Sequence, residues 1–245
     1  MNEIVQALFD RKSVRSFEKR DITEADRNLI IDAAIQAPTA GNQVLYTIID
    51  VRDQAIKNEL ADSCDDQPFI ATAPFVLVFL ADCRRWLDCY QIAGANPRKP
   101  GVGDFFLASQ DAMIAAQNAV TAAESLGIGS CYIGDILENH DRVVSLLKLD
   151  PFVVPVILLV FGYPTQQQCA RPKPLRFDRR FIVCKDNYER LPVQALKEML
   201  KAQQPEGNFV FEEYVKAFCR RKYNSDFSIE MTVSVQKYLD EFIRD

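Results

Sequence analysis

Six consecutive apolar residues, Phe75-Val76-Leu77-Val78-Phe79-Leu80, constrain the fold more than any other stretch. A half-exposed strand alternates apolar and polar side chains, so an unbroken run of this length reads as a strand covered on both faces. Such a strand needs a layer on either side. One candidate layer is a helix over Asp104 to Leu126, with Asp104 as cap, Gly127 as stop, and Phe105, Ala108, Ala112, Ala116, Ala119 and Ala123 inside it. Small residues at steps of three and four let a sheet or a second helix come close.

Other elements gather around these two. Thr23-Glu24-Ala25-Asp26 starts a helix that carries Leu29, Ile30, Ala33, Ala34 and Ala37 at helical spacing and stops at Pro38. Val44 to Val51 reads as a strand, Asp53 to Ser63 as a short helix, and Gln67 and Pro68 as part of the connection that follows. Gly129 to Asp135 reads as a loop of small residues, Asn139 to Leu147 as a helix, and Phe152 to Phe161 as a third strand. Helical patterns around Leu196, Phe218 and Tyr238 fill the C-terminus. No Gly/Ser-rich linker interrupts the chain, so one mixed α+β domain over 1–245 is expected. Residues 82–103, which hold Trp86, read either as a surface helix and loop or as a cover over a site, and 193–245 as a helical extension.

The net charge of -5 argues against nucleic-acid binding through bulk electrostatics. Met1 to Asp10 has neither a basic n-region nor an apolar h-region, and no apolar run reaches bilayer length, so neither a secretory signal nor a membrane partner is expected. Seven scattered cysteines without a CxxC pair, beside a single histidine, His140, point to no metal site, no disulfide framework and a reducing cytoplasm. His140 itself reads as an exposed or capping residue. A phosphate loop of the GxxxxGK[ST] type is absent, Gly127-Ile128-Gly129 lacks the third glycine of a dinucleotide fingerprint, and no nucleophile elbow accompanies His140.

The local signal is Arg11-Lys12-Ser13-Val14-Arg15. In extended backbone, Arg11, Ser13 and Arg15 share one side and Lys12 and Val14 the other. Two guanidinium forks and a hydroxyl suit an anion such as phosphate. Polar residues near an N-terminus also read as solvated surface, and the pattern by itself leaves both readings open. A second basic cluster, Lys173 with Arg176, could share the same anion if the chain closes on itself, and the loops Pro38 to Gln43 and Gly129 to Gly134 could admit a flat ring.

Taken in order, these pieces resemble the FMN-dependent nitroreductase superfamily. Its R-[RK]-S-x-R, A-P-[ST]-x-x-N, glycine-bounded, G-x-P and K-P-x-R motifs appear here as Arg11 to Arg15, Ala37 to Asn42, Gly127 to Gly134, Gly162-Tyr163-Pro164 and Lys173 to Arg176. The resemblance implies a mostly antiparallel sheet flanked by helices in an intertwined homodimer. It also implies bound FMN, NAD(P)H as reductant and a small-molecule electron acceptor such as a nitroaromatic or quinone. By the same resemblance, Arg11, Ser13, Lys173 and Arg176 would hold the FMN phosphate and ribityl chain, Lys12 would belong to the cofactor-binding set, and Arg15 would stabilise charge at N1 and the C2 carbonyl as the catalytic cation. Gln67 would face the pyrimidine edge, and Tyr132, Ile133 and Gly134 would lie near N5 and the C4 carbonyl. Pro38, Thr39, Ala40 and Asn42 would reach the flavin from the other subunit. The sequence departs from the family at Gln43-Val44-Leu45-Tyr46, which lacks the usual Gln-Pro-Trp/Phe, and at Leu175, which widens the Lys173 to Arg176 spacing. Other chemistry on the same fold, dehydrogenation or dehalogenation, or flavin binding without turnover, are the alternatives.

Overall fold

The computed structural model describes residues 1–204 and 208–243. In chain order its elements are α1 (Glu3–Asp10), α2 (Glu24–Ile35), β1 (Tyr46–Asp50), α3 (Gln54–Ser63), α4 (Pro68–Thr72) and β2 (Phe75–Asp82). There follow α5 (Arg84–Ile92), α6 (Val102–Ser125), β3 (Gly129–Ile133), α7 (His140–Leu147), β4 (Val153–Gly162) and α8 (Gln166–Ala170). Last come α9 (Val193–Lys201), α10 (Phe211–Lys222) and α11 (Asp226–Ile243). A first compact unit holds Met1–Arg171 and the chain from Glu230 onward, and a second holds Pro172–Ile229.

The first unit is built on four antiparallel strands in the order β1-β2-β4-β3. Every residue of β2 is buried, as its unbroken apolar run requires. Phe75, Leu77 and Phe79 face α2 and α6, where they meet Ile30, Ala34 and the alanines at 112, 115, 116, 119 and 123. Val76, Val78 and Leu80 face the opposite way, onto Leu60 of α3, Ile70 of α4 and Val143 of α7. The alanine richness of α6 thus serves its closeness to the sheet. Truncating a ring such as Phe79 in this core would cost about 3–5 kcal/mol.

The Thr23 cap agrees with the sequence reading, and Asp53 caps α3 from just outside it. Thr23 Oγ1 accepts from Asp26 N at 3.1 Å, and Asp53 Oδ1 from Ala55 N at 2.7 Å. α6 starts at Val102, so Asp104 acts from within the first turn and accepts from Gly101 N at 2.8 Å. Gly127 turns the chain out of that helix with φ +69°. Pro155 sits in β4 opposite Leu80, where the register shifts between Phe79 and Leu80, a bulge that accommodates the missing N–H.

Three expectations need correction. Gly129 to Ile133 is a strand, not a loop, because tertiary pairing with β4 (Gly129↔Gly162 through Ile133↔Leu158) overrides the weak β preference of small residues. Pro68 opens the short helix α4, at the position where its absent N–H is not needed. His140 is packed rather than exposed: its ring meets Tyr238 edge-on at 4.3 Å, and its side chain is 14% accessible.

In the second unit, Lys197 of α9 pairs with Glu212 of α10 at 2.9 Å, and Tyr214 stacks on Phe218 at 6.0 Å. No helix among the described residues is long and apolar enough to cross a membrane. Nor do the described residues include a group of three or more His, Cys, Asp or Glu side chains that could hold a metal ion.

Candidate active site

The stretch Arg11 to Phe17 is extended because both of its edges are satisfied. α1 ends at Asp10 and the chain straightens at Arg11, with φ -51° and ψ 131°. On one edge Val14 N donates to Ser130 O at 2.9 Å, beside a parallel bridge between Ser13 and Ser130, and Phe17 forms an antiparallel bridge to Pro164. Side chains lock this register. A Cβ on Gly129 would stand 2.5 Å from Val14 Cγ2, and one on Gly162 would stand 2.5 Å from Phe17 Cδ1.

The other edge is closed by a side chain. Gln168 of α8, 3% exposed, donates from Nε2 to Ser13 O at 3.2 Å and accepts at Oε1 from Arg15 N at 3.3 Å. Its amide stands in for a neighbouring strand. Lys12, expected in the cofactor-binding set, donates to Cys169 O at 2.6 Å and Arg171 O at 2.5 Å. The alternation that separates Lys12 from Arg11 and Ser13 makes it a strap.

Arg11 lies with its guanidinium carbon 5.1 Å from the centre of the Tyr132 ring, and its Nε and Nη2 are buried without a hydrogen-bond partner. Leaving charged donors buried and unmatched is costly, so this geometry calls for an anion. Tyr132 is held beneath by its hydroxyl, which donates to Gln117 Oε1 at 2.9 Å. Burial pushes the Tyr132 phenol up to about 12, against the pull of Arg11. The Cys131 thiol is also pushed up by burial, with Arg15, Ser13 and Arg11 acting the other way. Both groups therefore stay protonated at neutral pH, and this cluster supplies fixed positive charge rather than acid–base exchange.

Arg15 extends toward α4, its guanidinium carbon 5.9 Å from the centre of the Phe69 ring. Gln67 immediately precedes α4 and donates from Nε2 to Cys64 O at 2.8 Å and to Asp135 Oδ2 at 2.5 Å. Ile133 is buried at the end of β3, while Gly134 opens a 3-10 turn, Gly134–Leu137, and a Cβ added there would meet nothing within 4 Å. Glu138, at the end of that turn, is 5% exposed, and burial followed by Asp135, Glu230 and Asp65 pushes its carboxyl up to about 8.

The remaining expected residues lie in other places. Thr39 Oγ1 accepts from Val44 N at 2.8 Å, and Asp111 of α6 holds Ala40 N at 2.9 Å, leaving Pro38 and Asn42 exposed. Lys173 and Arg176 belong to the second unit, where Arg176 Nη1 donates to Pro174 O at 3.0 Å. Residues 82–103 pack on the start of β1: Trp86 Nε1 donates to Gln43 O at 2.8 Å and Arg85 Nη1 to Val44 O at 3.0 Å. A cavity of about 460 Å³ lies under this segment, lined by Gln43, Leu45, Trp86, Tyr90 and Arg98 among others, and by none of Arg11, Ser13, Arg15 or Gln67.

Sequence reasoning missed Gln168, Asp111, Phe69 and Asp135. Asp111 had a readable signal, since it falls on the face defined by Ala108, Ala112 and Ala115 and is 3% exposed. Nothing singles out Gln168 within Gln166-Gln167-Gln168, because only the fold brings it to Ser13 and Arg15.

Comparisons with known proteins agree on one relationship. The family description "Nitroreductase family" matches residues 8–163. FMN reductase (NAD(P)H) of Bacillus subtilis (strain 168) is 32% identical over 71% of this chain and 70% of its own length. Oxygen-insensitive NADPH nitroreductase of Salmonella typhimurium is 32% identical over 80% of this chain and 79% of its own. Among solved structures, a Bacteroides fragilis NCTC 9343 protein superposes with a TM-score of 0.85 at 25% identity, covering 98% of both chains. B. megaterium NfrA2 gives 0.82 at 26%, covering 97% of this chain and 98% of its own. Extent of match, identity and fold lead to one conclusion: this chain belongs to the nitroreductase family.

Proposed function

We propose that this chain is an FMN-dependent oxidoreductase that takes reducing equivalents from NAD(P)H and passes them to an electrophilic acceptor such as a nitroaromatic or a quinone. The family membership and the relatives named FMN reductase and NADPH nitroreductase support this reading. The observation that carries it in this chain is Arg11, whose two buried, partnerless nitrogens fit a phosphate of roughly two negative charges. When bound, FMN supplies a ring that accepts a hydride at N5 and releases electrons one half-reaction later.

The residues have separate tasks. Arg11 and Ser13 bind the phosphate end. Arg15 places a cation where negative charge develops at the far edge of the ring, an electrostatic contribution that needs no proton transfer from the protein. Gln67 would meet the pyrimidine edge, and the Ile133-Gly134 backbone would lie against the ring, with open space where a Cβ on Gly134 would stand.

A homodimer completes the site, with Pro38, Thr39, Ala40 and Asn42 reaching it from the second copy. Phe106, Leu107, Met113 and Ile114 support this, because they form an exposed apolar stripe on α6 that runs toward Gln117, the partner of Tyr132. The cysteine usage supports a cytoplasmic location.

The purified protein is expected to be yellow and to bleach with NADPH or NADH in the absence of air. Bleaching by neither nicotinamide would leave flavin binding without reductase function, and a colourless protein that takes up no FMN would remove both. Arg15→Ala is expected to slow reduction more than it weakens FMN retention, and Arg11→Ala the reverse. Equal losses of retention in both variants would refute that division.

A further inference from the structure

The Gln67 amide has one open function. Its NH2 group carries two hydrogens, and the structure provides two acceptors for them, Cys64 O at 2.8 Å and Asp135 Oδ2 at 2.5 Å. Turning the amide over would set its oxygen against a carbonyl and a carboxylate, two acceptor–acceptor contacts. The orientation is therefore determined by its surroundings, and the oxygen Oε1 is what Gln67 can offer to anything outside the protein.

Asp135 is itself well held. It follows Gly134 at the head of the 3-10 turn, and its carbonyl accepts from Glu138 N at 3.0 Å. Gln67 is fixed from the other side, because its N donates to Ala61 O at 2.9 Å and its carbonyl accepts from Ile70 N at 3.0 Å. Glu138, kept neutral at pH 7 by burial and by its acidic neighbours Asp135, Glu230 and Asp65, adds no full negative charge beside Asp135.

We propose that Asp135 is a positioning residue that turns the Gln67 amide oxygen outward as an acceptor, so that this edge of the site selects a ring bearing an N–H, the imide of a flavin. The inference rests on the FMN reading above. It adds a discrimination that charge alone cannot supply: Arg11 and Arg15 recognise negative charge, whereas an outward acceptor distinguishes N–H from N–CH3 at the pyrimidine edge. A site built to pair with a polar N–H rejects an analogue that lacks it, because the site's own group is then left unmatched.

The test compares the dissociation constants of FMN and N3-methyl-FMN by fluorescence titration, so that losses common to both ligands cancel. The wild-type protein is expected to bind N3-methyl-FMN at least about tenfold more weakly than FMN. In Asp135→Ala the ratio is expected to fall to within about threefold, because only the Cys64 carbonyl is left to oppose the turned-over amide. Asp135→Asn retains an acceptor for the Gln67 NH2 and should restore most of the ratio. Should Asp135→Ala fail to fold, Asp135→Ser, too short to reach Gln67, carries the same expectation. A wild-type protein that binds both flavins equally, or a folded Ala or Ser variant that keeps the wild-type ratio, overturns the inference. A wild-type protein that takes up neither flavin overturns the FMN reading with it.

Discussion

Two arginine-bearing regions of the first unit invite comparison. Along residues 82–104, Arg84 pairs with Asp88 at 2.6 Å, Arg85 with Asp82 at 3.4 Å and Arg98 with Asp104 at 2.5 Å. Each guanidinium there has a carboxylate within its own segment. In the stretch Arg11 to Arg15, the two guanidinium groups instead face the rings of Tyr132 and Phe69, and among the described residues neither has a salt bridge. The first region holds three arginines to the second's two, yet each of its guanidinium groups is paired. The second holds unmatched charge on a backbone fixed along both edges, and that combination marks a place for an anion.

The contrast can be broken by experiment. The largest effect is expected from Arg11→Ala, which should raise the FMN dissociation constant roughly 10- to 100-fold, as loss of a hydrogen-bonded charged partner does. Fluorescence titration measures it, and an unchanged constant would remove Arg11 from the site. Next comes Gly129→Ala, whose added Cβ would strike Val14 and dislodge the stretch from β3. A loss of about 1–3 kcal/mol in denaturant unfolding is expected from that overpacking, with weaker FMN retention alongside it.

Smaller is the effect of Glu138→Gln. Between the ordinary carboxyl range and about 8 the unfolded chain has released the Glu138 proton while the folded chain still holds it, so stability declines as pH rises through that window. The variant lacks this contribution, and its melting temperature should fall less than that of the parent between about pH 5 and pH 8. Identical slopes would show that Glu138 does not carry the dependence. Least of all is expected from Arg98→Ala, whose exposed pair with Asp104 touches nothing in the anion cluster. A shift in FMN affinity there would erase the distinction between the two regions.

Much of the architecture was legible in the chain itself. The unbroken run of β2 called for two covering layers, and the alanines of α6 called for close packing, because burial pattern and side-chain size are local properties. The cap at Thr23 is equally local. β3 was not legible, since Gly129-Ser130-Cys131 has little intrinsic strand preference and becomes a strand by pairing with β4. At the proposed site, alternation sets Arg11, Ser13 and Arg15 apart from Lys12, which serves as a strap.

The amino-acid order by itself determined the layered core, the helix ends, and which residue types could answer an anion, because hydrophobic periodicity and capping act over a few residues. Only the tertiary structure decided that Gln168 closes the second edge of the Arg11 stretch, that Asp111 anchors the Thr39 loop, and that Asp135 orients Gln67. Each of these contacts joins residues 68 to 155 positions apart. No local preference encodes such pairings; they form because backbone donors and acceptors withdrawn from water must find partners wherever the packed layers bring them.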